Sequence, residues 1–371
     1  MGGRSGAPAT AARFVVVGSG WRAEFYLRAA AAIPQWLTAC SVVTRSPERG
    51  SQVQDSWGIP TYRSIAQAVA ATDPDFVVIA VPWDASADAI EAAVQLSVPV
   101  LAETPPAPDA DGLATLWDEV GSSGLVQVAE QYPRYPGHAA RLTLIRSGLL
   151  GSISNVQVCS THHYHAMALI RGMLGVGVEQ ARVSTIRTEF ALADPMSREG
   201  WNEHARPQAA WNLLTHLDFG DGRSGLFDFT DNQWHNPLRS RRIVIRGSLG
   251  EVVDDQVVRL SDPHTVVTDT LHRRQTGIDM NLEGFDLDHI THEGKVLYRN
   301  RWHGSRFSDE ELAIADLLVT MADFARNEGP APYPLAQACQ DHLLGLAIDE
   351  SARLGTPVTT KAGPWAMAGA R

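Results

Sequence analysis

The amino-acid sequence predicts an α/β protein that begins with a doubly wound parallel sheet and continues into a second, strand-rich domain. At the start of the chain, short apolar runs typical of buried strands alternate with alanine-rich segments of helical length. Beyond about residue 125, runs of alternating apolar and polar residues are joined by short glycine turns, which is typical of antiparallel strands. The length of 371 residues also exceeds one hydrophobic core. We expect a disordered leader over 1–12 and domains over 13–125 and 126–360.

The first predicted strand leads into a glycine-rich turn. The apolar run Phe14–Val17 is followed by Gly18, Gly20 and Ala23, where a helical periodicity begins. In this Gly-x-Gly-x-x-Ala pattern, Gly18 allows a tight turn, Gly20 lets backbone amides approach a pyrophosphate, and Ala23 lets the helix pack on the strand. The anion would lie at the positive end of the helix. We predict a dinucleotide-binding (Rossmann) fold in which the pyrophosphate is bound by Gly18, Ser19, Gly20, Trp21, Arg22 and Ala23.

Three more strands are predicted over residues 37–44, 75–82 and 98–103. In a parallel sheet with right-handed crossovers, their carboxyl ends share one edge, where ligands bind. The segments that follow them should therefore line the cofactor site. The residues predicted there are Thr44, Arg45, Arg49, Val81, Pro82, Trp83, Glu103 and Thr104.

The end of the second strand predicts the choice of cofactor. NAD sites commonly carry Asp or Glu at this point, which binds the ribose 2′-hydroxyl. This sequence has Thr44 instead, followed by Arg45 and, one helical turn on, Arg49. A hydroxyl flanked by guanidinium groups suits a 2′-phosphate, so NADP(H) is preferred and NAD(H) is the alternative. A solvated surface role for both arginines stays open.

Composition narrows the class of protein. The net charge of −11 argues against nucleic acid or an anionic membrane as a partner. The three cysteines, Cys40, Cys159 and Cys339, are too widely spaced for a disulfide framework or a metal site. The N-terminal segment has no signal-peptide core, and no apolar run approaches a membrane span of ~20 residues. We expect a cytoplasmic protein whose partner is a small-molecule substrate.

The second domain is predicted to contain seven strands and to end in two helices. Ser308 and Glu311 form a capping box for the first of these helices, which runs towards Asn327. Pro334 starts the second helix, Leu335–Leu354, which we expect to pack back on the first domain. The predicted strands are Asn155–Thr161, Val183–Phe190, Trp211–Phe219, Ser224–Thr230, Arg241–Arg246, Glu251–Leu260 and Lys295–Asn300.

With these motifs the chain resembles the glucose–fructose oxidoreductase/inositol dehydrogenase (Gfo/Idh/MocA) family, from about Arg13 to Thr360. Besides the glycine pattern, the matching segments are SVVTRSPERG, AVPW, AETPPAP and HYHAMALIRGMLG. The resemblance implies a Rossmann domain followed by an α/β domain with an open, mostly antiparallel sheet. It also implies oxidation or reduction of a sugar, cyclitol or related hydroxy compound with NAD(P), by a homodimer or homotetramer.

The departures from the family pattern concern the residues that handle protons. Thr104 stands where the family usually has the lysine of Glu-Lys-Pro, and threonine cannot supply that charge. Aligning the helix of the second domain puts His165 at the family's histidine and Thr161 at its aspartate. The family's strand-end region corresponds here to AEQYPRYP, which implies a cofactor contact for Gln131.

Hydride transfer to or from a carbinol needs a group that handles the hydroxyl proton. His165 is the first candidate, because imidazole titrates near neutrality and the resemblance places a histidine there. Glu103 would position the cofactor or, without the lysine, act as an acid or base. Tyr132 is a phenol that could donate a proton to an alkoxide. The predicted substrate contacts, each equally explained as core or surface, are His163, Tyr164, Arg134, Trp234 and His235.

Two further questions concern metals and self-association. His162 and His165 lie one helical turn apart, but no acidic or cysteine ligand is close in sequence, so no metal is predicted. Apolar residues on the predicted sheet, Ile243, Val252 and Val258, suggest face-to-face pairing of two copies, although core packing explains them equally well.

Three functions are compatible with the sequence. The leading one is an NAD(P)-dependent oxidoreductase acting on a hydroxyl/carbonyl pair, or on an imine, of a polar small molecule. The second is a redox-neutral lyase, hydrolase or epimerase with a tightly held nicotinamide. The third is a non-catalytic dinucleotide-binding protein, because loss of lysine and aspartate together is what a degenerate site looks like.

Overall fold

The computed structural model describes residues 10–277, 281 and 283–366. The chain folds into two compact units. The first comprises Met1–Pro136, Arg273–His289 and Arg299–Cys339; the second comprises Gly137–His272, Ile290–Tyr298 and Gln340–Arg371. The sequence places the first boundary at residue 125 and assigns both later segments of the first unit to the second domain, whereas contacts group them with the N-terminal sheet.

The elements alternate between strands and helices up to residue 120, as predicted, and the alternation continues to residue 146. They are β1 (Ala12–Val17), α1 (Trp21–Ala32), β2 (Leu37–Val43), α2 (Pro47–Trp57), β3 (Thr61–Tyr62), α3 (Ile65–Thr72), β4 (Phe76–Ile79), α4 (Ser86–Gln95), β5 (Val100–Ala102), α5 (Ala110–Val120), β6 (Val126–Val128) and α6 (Pro136–Arg146).

The rest of the chain is rich in strands. Its elements are β7 (Ile153–Cys159), α7 (His163–Leu174), β8 (Arg182–Ala193), β9 (Met196–Ser197), β10 (Gly200–Trp201), β11 (Pro207–Asp218), β12 (Ser224–Thr230), β13 (Arg242–Gly247), β14 (Gly250–Val253), β15 (Gln256–Asp262), β16 (Thr265–Thr270), β17 (His272–Thr276), β18 (Asp286–His292), β19 (Lys295–Arg299), α8 (Asp309–Ala325), α9 (Leu335–Leu354) and β20 (Val358–Thr359).

The N-terminal sheet has six parallel strands in the order β3-β2-β1-β4-β5-β6. This is the order of a Rossmann sheet, and the direction of winding reverses between β1 and β4, beside the glycine turn. The predicted fold class is therefore confirmed. Two strands escape the sequence pattern: β3 has only two residues, and β6 lies past the predicted boundary.

The first unit is completed by α8. The predicted capping box is present, since the side chain of Ser308 accepts from the backbone of Glu311 and the side chain of Glu311 accepts from the backbone of Ser308. The buried face of α8 packs on α1, β1 and β4. Ion pairs from α1 reinforce this packing, with Arg22 on Glu310 at 2.6 Å and Arg28 on Glu311 at 3.2 Å. The bounds of α9 agree with the sequence prediction, and its packing on the first domain stays a prediction.

The large sheet of the second unit has nine strands in the order β16-β15-β14-β13-β7-β12-β11-β8-β20. All its neighbours are antiparallel except β7 and β12, which confirms the predicted mostly antiparallel sheet. Ile243 and Val252 are buried, at 3 % and 0 % exposure, and Val258 is half-buried, so core packing accounts for the first two. A small separate sheet has the order β17-β18-β19.

Sequence and structure differ most in the strands that carry charge. The predicted run Glu251–Leu260 is two strands, β14 and β15, separated by a turn at Asp254, whose φ is +53°. The pattern does not predict β16, β17 or β18, because TVVTDT, HRRQT and DLDHITH lack a clear apolar alternation.

The beginning of the chain is described from Thr10. Residues 1–9 of the predicted leader lie outside the described residues. The carbonyls of Thr10 and Ala11 accept hydrogen bonds from Arg326, and Ala12 already belongs to β1. Among the described helices, none combines the length and the apolar character that a bilayer crossing requires.

Candidate functional site

The glycine turn has the geometry of a phosphate cradle. Gly18 has φ +111°, and a Cβ there would lie 2.1 Å from the carbonyl oxygen of Ala80, so only glycine fits. A Cβ on Gly20, by contrast, would meet nothing within 4 Å. Gly20 is also the N-cap of α1 and provides no side chain to bind the first amides of the helix. Open space in front of uncapped amides is what a pyrophosphate requires, so these residues fit a dinucleotide.

The two glycines should respond differently to alanine. We expect Gly18→Ala to destabilise the protein by about 1–3 kcal/mol, because of the clash with the Ala80 carbonyl and the positive φ. Gly20→Ala should keep wild-type stability but weaken dinucleotide binding about tenfold or more, because its methyl group enters the cradle. Thermal melts and NADPH fluorescence titrations would measure both.

Gly172→Ala, in α7, is the matched control, because its Cβ would be unobstructed and its φ is not positive. Equal melting temperatures for Gly18→Ala and Gly172→Ala would contradict the assignment of Gly18 to a tight, crowded turn.

Arginines surround the end of β2. Thr44 is 4 % exposed, and its hydroxyl donates to the Ser46 carbonyl at 3.1 Å and accepts from Arg63. Arg49 is anchored by the backbone carbonyl of Ser19 at 2.5 Å and by Gln52 at 3.0 Å. Arg45 is exposed. Arg63 carries no signal in the sequence, because it follows the two-residue strand β3, which is too short to leave a pattern.

These arginines form a cationic edge. Within the described part of the chain, no carboxylate is paired with Arg45, Arg49 or Arg63, although other arginines of the first unit are paired. Three guanidinium groups without a counter-anion at the end of β2 are suited to an anion with several oxygens.

Glu103 belongs to a buried network under the glycine turn. It accepts from Nε of Arg22 at 2.5 Å and from the hydroxyl of Tyr26. Burial alone would lower the pKa of Arg22, but Glu103, Tyr26 and Glu310 raise it well above its ordinary value. Gln131 joins the network by accepting from Arg22 at 3.1 Å and donating to the Ala129 carbonyl at 2.8 Å. Because Arg22 and Tyr26 hold the carboxylate of Glu103 in place, a positioning role for Glu103 is favoured over acid–base chemistry.

Several other predicted cofactor residues of the first unit are accessible to solvent. Trp21 and Trp83 are 51 % and 55 % exposed, and the residues before Trp83, Val81 and Pro82, are accessible too. The Thr104–Pro105 peptide is cis.

Tyr132 and Arg134 make defined contacts within the first unit. The ring of Tyr132 stacks on Tyr135 with centroids 4.8 Å apart. Arg134 pairs with Asp316 and donates to the Pro332 carbonyl at 2.9 Å. These contacts by themselves account for Arg134 as a structural residue of this unit.

In the second unit, four histidines and several aromatic rings gather at the start of α7. His162 is the N-cap, and its ring centroid lies 5.1 Å from His165 and 5.0 Å from Trp234. Tyr164 lies 4.5 Å from His165, and its hydroxyl is 3.2 Å from Nε2 of His162. His342, from α9, lies 5.9 Å from Tyr164. We call this group, His162, His163, Tyr164, His165, Trp234 and His342, the histidine cluster.

The histidine cluster and the two residues before it carry buried polar atoms that have no hydrogen-bond partner among the described residues. They follow one another along the chain: Oγ of Ser160, Oγ1 of Thr161, Nδ1 of His162 and Nε2 of His163. Nε2 of His163 lies 3.3 Å from Asp349 without forming a hydrogen bond. Burial, and then His165 and His163, lower the pKa of His162 to about 3, so its ring is neutral. Consecutive unsatisfied groups are unusual in a core and are typical of a site that binds a polar ligand.

The predicted substrate residues Trp234 and His235 differ in their contact with the histidine cluster. Trp234 stacks on Phe229 at 5.3 Å and faces His162. His235 lies beyond it, with its ring 5.9 Å from Trp234. His342 lies on α9 and is not among the predicted site residues. A histidine inside an otherwise apolar stripe is the signal that could have identified it.

The comparison with known families rests on the N-terminal sheet and its glycine turn. Residues 12–131 match the model of the family described as "Oxidoreductase family, NAD-binding Rossmann fold" (GFO_IDH_MocA). This N-terminal part of the chain is similar to the Gfo/Idh/MocA family. No curated protein matches the sequence.

Solved structures of similar fold cover almost the whole chain. A levoglucosan dehydrogenase in complex with NADH and levoglucosan is 17% identical, with a TM-score of 0.67 over 95% of this chain and 100% of that one. A myo-inositol dehydrogenase from Corynebacterium glutamicum is 16% identical, with a TM-score of 0.65 over 95% and 99%. An oxidoreductase from Agrobacterium radiobacter in complex with NAD+, L-tartaric acid and magnesium is 16% identical, with a TM-score of 0.65 over 94% and 98%. At these identities the likeness establishes the fold.

One acid of the first unit, Glu130, is deeply buried. Glu130 follows β6, is 2 % exposed, and accepts from the backbone amide of Tyr132 at 3.0 Å. Burial, with help from the charge of Glu103, raises the pKa of Glu130 from 4.5 to about 8. The carboxyl is therefore protonated at neutral pH in the folded protein and ionised in the unfolded chain.

We expect Glu130 to make the protein less stable as pH rises. Because folding raises the pKa of Glu130, its contribution to the free energy of unfolding is complete at pH values below the pKa of the unfolded chain. This contribution is lost as the pH rises towards about 8, by up to ~1.4 kcal/mol per pH unit. Melting temperatures between pH 6 and 9 should fall less steeply for Glu130→Gln than for wild type. The exposed Glu48→Gln is the control. Parallel curves for all three proteins would contradict the buried, protonated acid.

Proposed function

We propose that the protein is an NAD(P)-dependent oxidoreductase that transfers a hydride to or from a hydroxyl/carbonyl pair, or an imine, of a polar small molecule such as a sugar or cyclitol. The observation that carries the proposal is the glycine turn, in which Gly18 is sterically required and Gly20 leaves open space before the uncapped amides of α1. The dinucleotide would supply the hydride acceptor or donor.

The cationic edge supports NADP(H) as the preferred cofactor. Arg49 is anchored by Ser19, which is part of the glycine turn, so its guanidinium group is held beside the cradle. Arg63 is held by the hydroxyl of Thr44. We propose that these two arginines, with Arg45, bind a ribose 2′-phosphate. An acidic residue, which would select NAD(H), does not occur at the position of Thr44.

The histidine cluster supports the substrate half of the proposal. His165 is 6 % exposed and lies between the rings of His162 and Tyr164. A neutral imidazole can accept the hydroxyl proton of an alcohol, and its protonated form can return a proton to an alkoxide. The unsatisfied hydroxyls of Ser160 and Thr161 offer hydrogen-bonding partners to a polyol. We propose His165 as the proton-transfer residue, with Glu103 holding the cofactor side through Arg22 and Tyr26.

The names of the similar structures agree with a polyhydroxylated substrate. Levoglucosan and myo-inositol are named for two of them, and L-tartaric acid for the third. We further propose a reducing cytoplasmic setting, consistent with three reduced cysteines, and a homodimer or homotetramer.

Titration with the two cofactors tests the proposal most directly. We expect NADPH to bind more tightly than NADH, and Arg49→Ala and Arg63→Ala each to weaken NADPH binding about 10- to 100-fold, because each loses a charge-assisted contact worth about 1.5–3 kcal/mol. NADH affinity should change little. Nicotinamide fluorescence, excited by transfer from the exposed Trp21 and Trp83, would report binding.

Arg353→Ala, at the end of α9, serves as the control for loss of one positive charge. Equal affinities of wild type for NADPH and NADH would contradict the proposed 2′-phosphate site. If wild type bound neither, the assignment of a dinucleotide site would be wrong. Cofactor that survives purification and does not exchange, with product formed but no net change in absorbance, would favour the redox-neutral alternative.

A further inference from the structure

A second group of ligand-type side chains lies in the second unit, in a different part of the chain from the histidine cluster. Asp269 is near the end of β16, His292 is the last residue of β18, and Glu293 occupies the turn before β19. One side-chain oxygen or nitrogen of each lies within 4.8 Å of the other two. Among the described residues, Asp269, His292 and Glu293 form a group of His, Cys, Asp or Glu side chains that lie close enough to share a metal ion.

His292 gives the group a feature that a surface acidic pair lacks. Its side chain is only 2 % exposed, yet its Nε2 atom has no hydrogen-bond partner among the described residues. That atom lies 3.9 Å from Oδ2 of Asp269, too far for a hydrogen bond. A buried, unsatisfied polar atom costs roughly 1–3 kcal/mol unless a ligand completes it. Donors that each lie about 2.0–2.2 Å from one zinc ion are separated by roughly 3.3 Å, so a small movement would close the site.

The neighbouring carboxylate is held in place by the backbone. Oδ2 of Asp269 accepts from the amide of Glu293 at 3.1 Å, and Oδ1 accepts from the amide of Thr270 at 2.7 Å. These bonds fix the turn that carries Glu293 against β16. His272, at the start of β17, places its Nε2 atom 3.6 Å from Oδ1 of Asp269 and is exposed enough to reorient. It is therefore available as a fourth ligand.

The local charge sets how strongly a cation would bind. Arg259 pairs with Oε1 of Glu293 at 2.5 Å. Two carboxylates and one guanidinium group leave a net charge of about −1 among these acidic and basic side chains. A divalent cation is attracted to this charge, but Arg259 weakens the attraction, so micromolar rather than nanomolar affinity is expected.

We propose that Asp269, His292 and Glu293, with His272 as a fourth ligand, form a binding site for a divalent transition metal ion, with zinc as the best fit. Imidazole with carboxylates suits zinc, whereas calcium and magnesium require oxygen ligands alone. The ion would connect β16 to the turn between β18 and β19. The site is separate from the proposed cofactor and histidine residues and does not depend on the proposed function. It also departs from the sequence analysis, which predicts no metal.

Zinc titration of the full chain, freed of any histidine tag, tests the site. By calorimetry and by metal analysis after dialysis, we expect one high-affinity zinc ion per chain, with a Kd of about 1–10 µM. His292→Ala and Glu293→Gln should each weaken binding about tenfold or more. Glu293 lies on an exposed turn, so Glu293→Gln gives an answer even if His292→Ala folds poorly. Zinc should also raise the melting temperature of wild type more than that of either variant.

Two controls identify where the zinc binds. His264→Ala removes an exposed histidine from the turn between β15 and β16 and should leave the affinity unchanged. His162→Ala removes a ring of the histidine cluster and should also leave it unchanged. The proposal is overturned if Glu293→Gln and His292→Ala bind zinc as wild type does, if His162→Ala abolishes binding, or if wild type binds no zinc at about 100 µM.

Discussion

Asp341→Ala is expected to lower the free energy of unfolding by about 3–5 kcal/mol. Asp341, on α9, pairs with Arg171, on α7, and both side chains are 2 % exposed. Arg171 also donates from Nε to the Gly177 carbonyl at 2.8 Å, so the guanidinium group cannot leave when its partner is removed. The variant would therefore leave the buried guanidinium group of Arg171 without the carboxylate of Asp341. For a unit of this size, the melting temperature should fall by roughly 10 °C.

Two further variants show whether the loss comes from the buried charge. Glu350→Ala removes an exposed carboxylate from the same helix, and its effect should stay within about 0.5 kcal/mol. The double variant Arg171→Met with Asp341→Leu removes both charges and should recover much of the lost stability, because a buried ion pair can be replaced by apolar side chains. Denaturant unfolding measures all three. A melting temperature of Asp341→Ala close to that of Glu350→Ala would mean that the pair does not stabilise the fold.

His165→Ala is expected to lower turnover about 10²- to 10⁴-fold, the usual effect of losing a general acid or base. Its cofactor affinity should stay at the wild-type value, since the glycine turn and the cationic edge, which are proposed to bind the dinucleotide, do not include His165. The assay follows absorbance of the reduced nicotinamide with a panel of polyols and their ketones. In wild type, the plot of kcat against pH should show the titration of one ionising group. This titration should disappear from the plot for the variant.

His204→Ala, which changes an exposed histidine of the same unit, is the control. If kcat of His165→Ala were unchanged, His165 would not be the proton-transfer residue. The next candidate would be another phenol or imidazole of the histidine cluster, such as Tyr164. Absence of turnover in wild type with every polyol, together with normal cofactor binding, would favour the non-catalytic dinucleotide-binding alternative.

Much of the fold can be predicted because the relevant patterns are local. The buried strand Phe14–Val17 and the glycines after it, Gly18 and Gly20, occupy seven consecutive residues, and the structure gives Gly18 a steric reason. The helix Leu335–Leu354 was delimited correctly, because Pro334 marks its start. Strands β16 to β18 escape prediction, because their polar residues pair with neighbouring strands rather than alternating between core and solvent.

The candidate site is predicted less completely, because its residues act in pairs. Sequence reasoning singles out Glu103 but cannot reveal that Arg22 and Tyr26 hold it. It finds Arg49 but not Arg63, whose position depends on the short strand β3. It places His165 at the start of a helix but cannot bring His342 beside Tyr164 from 178 residues away.

The sequence by itself determines the alternation of strands and helices, the glycine turn and the absence of an acidic residue at the end of β2, since each is written in neighbouring residues. The tertiary structure decides which charges are buried or paired: Glu130 as a protonated acid, Glu103 between Arg22 and Tyr26, and His292 beside Asp269. The reason is physical. Burial and pairing depend on contacts between residues far apart along the chain, and only the folded topology determines those contacts.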